Sequence, residues 1–201
     1  MVKDQSTEER ILEAAKKVFF DKGLAGGRMQ DIADSAGINK AMLHYYFRSK
    51  DKLFEKIFSE AFENFFPKLT NILESKDDVL TKIENVCREY MDQMEAMPYL
   101  PIFILTEVNR QPDGFLKKIW NNRKPPIKSF IDMVNKAVAE GKIQAVHPLQ
   151  LLLNIVSLCI FPHMAKPLLQ HVAGINKKQF EMLMTDRKKM VPKLIIQSLK
   201  K

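Results

Sequence analysis

The chain has 201 residues, 46% of them hydrophobic and 28% charged, with only 7 glycines; that balance excludes a disordered polypeptide and fits a helix-rich fold with a buried core. A formal net charge of +8 favours an anionic partner such as nucleic acid or a membrane surface. Residues 1–50, however, carry nine Lys/Arg against seven Asp/Glu, a net of +2 that leaves +6 downstream, so bulk charge does not locate a binding surface.

Nearly every segment repeats its apolar residues at helical spacing and none alternates cleanly as a strand does, so the expected class is all-α. Ser6 and Glu9 have the spacing of a capping box. Ile11, Ala14, Ala15, Val18 and Phe19 then recur on one face up to Gly23, a natural helix stop. Met29, Ile32, Ala33 and Ala36 make a short second helix, closed by Gly37, and Asn39 is placed to cap a third through about Tyr46. Ser49 caps a long fourth helix, which Pro67 is expected to kink or interrupt because its ring clashes with the carbonyl of Glu63. Further helices are expected at about 78–96, 99–110, 113–122 and 125–140, with two long ones at about 148–171 and 176–199. Residues 1–50 thus form one predicted domain and residues 51–201 a second, the fourth helix joining them without a Gly/Ser linker.

Residues 29–47, MQDIADSAGINKAMLHYYF, have the parts of a helix-turn-helix. Ala33 lets two helices cross closely, Gly37 permits a left-handed turn, and Ile38 and Leu43 face inward. Lys40, Ala41, His44 and Tyr45 are free to face outward toward a major groove. Lys50, in the first turn of the fourth helix, is placed to hold a backbone phosphate together with free amides. Phe47 reads as a core aromatic, whereas Tyr46 fits either role.

Over residues 7–55 the sequence resembles the TetR family of transcriptional regulators: TEERILEAAKKVFFDKG, then MQDIADSAGINKAMLHYYFRSKDKLF. The resemblance implies a three-helix DNA-binding domain in which Asn39, Lys40, Ala41, His44, Tyr45 and Tyr46 contact double-stranded operator DNA and Lys50 contacts phosphate. One departure stands out: where the family has Ser or Thr near the start of the second helix, this chain has Gly27 and Arg28. Gly is a tolerable cap, and Arg28 is long enough to reach a phosphate.

For the C-terminal domain the resemblance implies a ligand pocket and a homodimer built on helices 148–171 and 176–199. The sequence agrees: Leu151, Leu152, Ile155, Val156, Leu158, Cys159 and Phe161 are too apolar around the circumference for a surface helix. Phe180, Leu183, Met184, Met190, Leu194 and Ile195 add a second stripe. Phe62, Phe65, Phe66, Tyr90, Met94, Phe103, Trp120 and Met133 are candidates to line a cavity for a largely apolar effector, although plain core packing is the commoner role of such residues. Glu107, inside PIFILTEV, is a candidate counter-charge for a cationic ligand, with an exposed or salt-bridged carboxylate the commoner alternative.

Several classes have little support. HExxH, a phosphate-binding glycine loop and a GxSxG elbow are missing from the sequence, so no enzyme and no cofactor are expected. His163 and His171 are too far apart on one helix to share a metal ion without other ligands. Cys87 and Cys159 read as free buried thiols of a reducing compartment. MVKDQSTEER has no apolar signal-peptide core, and the uncharged stretch 148–165 contains Gln150, Asn154, Pro162 and His163, so neither secretion nor a membrane span is expected. The sequence therefore predicts a cytoplasmic, ligand-responsive DNA-binding regulator, with an effector-independent or nucleoid-associated DNA-binding protein of the same fold as the alternative.

Overall fold

A computed structural model describes residues 6–98, 100–110 and 124–201. Among them are ten helices and no strand, in two compact units: residues 6–64 with 103–110, and residues 65–98 and 100–102 with 124–201. The helix expected at 113–122 lies outside the described residues.

In the first unit, α1 (Thr7–Gly26) opens on the capping box: Ser6 Oγ accepts from the Glu9 amide at 3.2 Å and Glu9 Oε2 accepts from the Ser6 amide at 2.9 Å. Ile11, Ala15 and Phe19 are almost wholly buried. The backbone leaves the helix at Gly23 (φ 69°, ψ 170°) and resumes for one last turn to Gly26. α2 (Met29–Ala36) buries Ile32, Ala33 and Ala36. It ends in a Schellman-type turn, with the Gly37 amide donating to Asp34 O (3.2 Å) and the Ile38 amide to Ala33 O (3.0 Å). Gly37 sits at φ 65°, ψ 39°, where a side chain is strained. α3 (Lys40–Tyr46) is capped by Asn39, whose Oδ1 accepts from the Met42 amide at 2.8 Å.

α4 (Lys50–Glu74) is capped by Ser49, which accepts from the Lys52 amide at 3.2 Å. The compact division falls at Asn64 rather than at residue 50, because the first half of α4 completes the first core. Leu53, Phe54, Ile57 and Phe58 are buried there, and Phe54 meets Phe19 edge-on at 5.8 Å. From α6 (Leu100–Arg110), Phe103 stacks on Phe58 at 4.9 Å and meets Phe54 at 5.5 Å and Phe20 at 6.1 Å. Each such ring, fully buried, contributes on the order of 1.5–3 kcal/mol. α4 runs through Pro67 without interruption. Pro67 removes a single donor, and Glu63, whose carbonyl loses it, lies on the exposed side.

In the second unit, α5 (Val79–Ala96) starts at Asp78, which accepts from the amides of Leu80 (2.9 Å) and Thr81 (3.1 Å) and from the Thr81 hydroxyl (2.6 Å). These bonds, the hydroxyl's first, hold its carboxyl below the usual carboxylate range. α7 (Ile127–Ala139) packs on α8 (Pro148–Met164), while α5, α8 and α10 (Lys177–Gln197) pack mutually. Lys188 on α10 reaches Asp92 (2.6 Å) and Glu95 (2.8 Å) of α5, and Arg187 donates to the Leu158 carbonyl of α8 at 2.8 Å.

The helix expected across 148–171 is two helices, α8 and α9 (Lys166–Val172), bent by 62° at Ala165. Pro167 at the start of α9 lacks the amide that would continue the ladder, and its ring would clash with the His163 carbonyl in an unbroken helix. Among the described residues no single helix is long and apolar enough to cross a membrane. Cys87 and Cys159 are both buried and free, with Cys159 Sγ 3.7 Å from the Cys87 carbonyl. The Cys159 thiol and then burial hold the Cys87 thiol far above its ordinary range.

Candidate nucleic-acid interface

α3 buries a single side chain, Leu43. Its other face is open: Lys40 with His44, and Ala41 with Tyr45, form two rungs one helical turn apart, and all four are exposed. Tyr45 is 84% exposed and meets Tyr46, itself 42% exposed, edge-on at 5.5 Å. Phe47 is buried, in the core role read for it from the sequence. A short helix offering a cation, an imidazole, two phenols and one small side chain on its open face has the donors and shape to enter a major groove.

The flanking residues fix how α3 is held. Asn39 is exposed while its side chain serves as the cap of α3. Arg28 is the exposed N-cap residue of α2 with no side-chain capping bond. Gly27 before it is buried, and a Cβ there would lie 3.0 Å from the Phe19 ring and 3.2 Å from the Gly23 carbonyl. That contact leaves little room for any side chain at Gly27. Lys50 is half-buried and donates to the Ala25 carbonyl at 3.2 Å, tying the start of α4 to the end of α1. Lys22 pairs with Asp31 at 2.8 Å, and this lysine holds the Asp31 carboxyl below the usual range. Arg10 of α1 donates to the Ala36 carbonyl at 2.6 Å and to Gly37 O at 3.5 Å. None of these three cross-helix ties carries a sequence signal; no periodicity, for example, links Arg10 to a turn 26 residues away.

The candidate effector residues divide between the units. Phe62 is half-buried; Phe103 and Glu107 are buried with it in the first unit. Phe103 is part of that unit's aromatic core. Glu107 is 6% exposed, and its Oε1 accepts from the Leu24 amide at 3.3 Å, beside the break at Gly23. In the second unit Phe65, Phe66 and Met94 are buried and Tyr90 and Met133 half-buried; Phe65 meets Tyr90 edge-on at 5.1 Å. Burial pushes the Tyr90 phenol up to about 12. Trp120 lies outside the described residues. One cleft of about 460 Å³ lies between the end of α4, the turn to α5 and α7. Met133 is the one candidate among its lining residues, and most of the others are charged or polar. Among the described residues no group of three or more His, Cys, Asp or Glu is placed to hold a metal ion.

Residues 11–57 match the model of the bacterial regulatory proteins of the tetR family. Over that stretch the chain is similar to the TetR family. This chain is similar in sequence to helix-turn-helix transcriptional repressors. It is 25% identical over 140 residues to the transcriptional repressor KstR2 of Mycolicibacterium smegmatis, covering 69% of this chain and 68% of that one. Over 59 residues it is 42% identical to the repressor NicS of Pseudomonas putida, 29% of this chain and 28% of that one. The solved structure of the ketosteroid transcriptional regulator KstR2 of Mycobacterium tuberculosis superimposes with a TM-score of 0.78 at 17% identity, covering 99% and 97% of the two chains. At that identity the likeness establishes the shared fold.

Proposed function

We propose that this chain is a cytoplasmic homodimeric repressor of the TetR family that holds a palindromic operator through α3 and releases it when a largely apolar small molecule binds the region of residues 51–201. The observation that carries the reading is the open face of α3, where Lys40, Ala41, His44, Tyr45 and Tyr46 are exposed around the single buried Leu43. Arg28, Asn39 and Lys50 flank that face and complete the proposed contact set. Two-fold symmetry is supported by the neighbouring helices α8 and α10, which leave Leu149, Leu153, Phe161, Leu183, Met190 and Leu194 exposed. So many large apolar side chains on adjacent helices mark a surface that is covered in the working protein. An apolar effector agrees with the names of relatives such as the ketosteroid regulator and with Phe65, Phe66, Tyr90, Met94 and Met133 in one unit. Release requires only that the effector bind the DNA-free arrangement more tightly than the DNA-bound one.

The test is enrichment of duplexes from a random-sequence pool by the full-length protein. An inverted repeat whose half-sites lie about 34–36 Å apart, one helical turn, or a multiple of that, supports the proposal; asymmetric winners, or no enrichment, overturn it. Titration of an apolar small-molecule panel against the winning duplex then tests release.

A further inference from the structure

The Ala36 and Gly37 carbonyls stand at the turn between α2 and α3, and both face the guanidinium of Arg10 on α1. The turn's own amides are already spent, Gly37 on Asp34 and Ile38 on Ala33. The two carbonyls have no helical continuation to bond, since Asn39 opens a new helix two residues on. Arg10 supplies what they lack: its Nη2 donates to both carbonyls, and its positive charge lies at the negative end of the α2 dipole. Its neighbours Ile11, Ala14 and Ala15 are buried, so the guanidinium projects from an anchored part of α1. At the opposite end of α2, the Lys22–Asp31 pair makes a second tie to α1.

We propose that Arg10 is a positioning residue for sequence reading by α3: it locks the turn and so sets the angle at which Lys40, His44 and Tyr45 meet the base edges. The inference rests on α3 being the recognition helix. Base readout tolerates only small errors of placement, roughly 0.5 Å or 10–20°, whereas attraction to phosphates survives a loosened head. Losing Arg10 therefore erodes discrimination between sequences and leaves general DNA affinity intact.

The experiment compares wild type, Arg10→Ala and Arg10→Met, measured well below each variant's Tm. Two duplexes serve as probes: the one enriched by the wild type and a scrambled duplex of equal length and composition. The ratio of the two affinities should fall about tenfold or more in both variants, the size of one lost base contact, while scrambled-duplex affinity and its salt slope stay at wild-type values. Arg10→Met keeps the aliphatic stem and removes only the donors, so it carries the test should Arg10→Ala fail to fold. An unchanged ratio overturns the proposal. So does an equal loss on both duplexes with a salt slope smaller by about one, which would make Arg10 a phosphate contact. Lys40→Ala, run beside them, separates the two layers. If it leaves enriched-duplex affinity unchanged, the recognition-helix reading itself fails, whatever Arg10 does.

Discussion

Lys40 and Tyr45 stand in solvent on a helix secured by Leu43 and the Asn39 cap, so their loss costs contacts and not the fold. Lys40→Ala and Tyr45→Phe should each weaken binding to the enriched duplex about 5- to 100-fold, in line with one lost polar contact. Their melting temperatures should match wild type; unchanged affinity by fluorescence anisotropy would remove these residues from the interface. Glu107 behaves oppositely. Its buried carboxylate accepts from the Leu24 amide just past the non-helical Gly23, so Glu107→Leu removes the acceptor of a half-buried donor. We expect a loss of about 1–3 kcal/mol by chemical denaturation, and a change near zero would mean that water replaces the bond. Each of these side chains is ordinary in sequence; what separates them is which way its helix turns it.

The same apolar runs give two faces once the helices are packed. On α8, Leu151, Ile155 and Cys159 are buried, while Leu153 is 57% and Phe161 61% exposed; on α10, Phe180, Met184 and Ile195 are buried opposite exposed Met190 and Leu194. Leu153→Glu combined with Phe161→Glu places charges where a partner would have to desolvate them. Sedimentation should then show the dimer weakened by at least about 100-fold, and an unchanged dimer would put the interface elsewhere. At the α8 end nearest the bend, His163 is buried edge-on to Phe180, with Lys166 above the same ring. Burial lowers its affinity for a proton; Lys166, Arg187 and Lys188 act in the same direction and Glu95 against it. The unfolded chain then binds a proton, near the ordinary histidine value of about 6.5, that the folded chain refuses, so stability is full above that pH and falls as pH drops below it. The Tm of wild type should decline more steeply between about pH 7 and about pH 5.5 than that of His163→Asn, and parallel curves would sink the assignment.

For the whole molecule, the proposed function combined with the weak basicity of the N-terminal segment leaves affinity to a few placed cations and to two heads acting together. Affinity for the enriched duplex should fall linearly in log–log form with salt, with a slope of about 0.9 per phosphate contacted. A flat profile would argue against phosphate contacts by Lys40, Lys50 or Arg28. Substitutions that break the dimer should cost far more operator affinity than any single contact residue, because linked heads bind the second half-site at high effective concentration.

The sequence by itself determined the helical class, the caps at Ser6, Asn39 and Ser49, the left-handed turn at Gly37, and the outward set on α3. All of these follow from local rules: periodicity, short-range side-chain bonds and glycine's freedom at positive φ. Only the tertiary structure decided matters that depend on groups far apart in the chain. It turned Glu107 inward onto the Leu24 amide, gave the Lys50 ammonium the Ala25 carbonyl, brought Arg10 to the α2–α3 turn, and assigned Phe103 to the first core rather than to the second unit. The break between α8 and α9 was within reach of a local rule, Pro167, but the apolar pattern running through it masked the stop. A hydrophobic period reports that a face is buried and not which partner buries it, and a long cationic side chain has many carbonyls within reach until packing leaves it one.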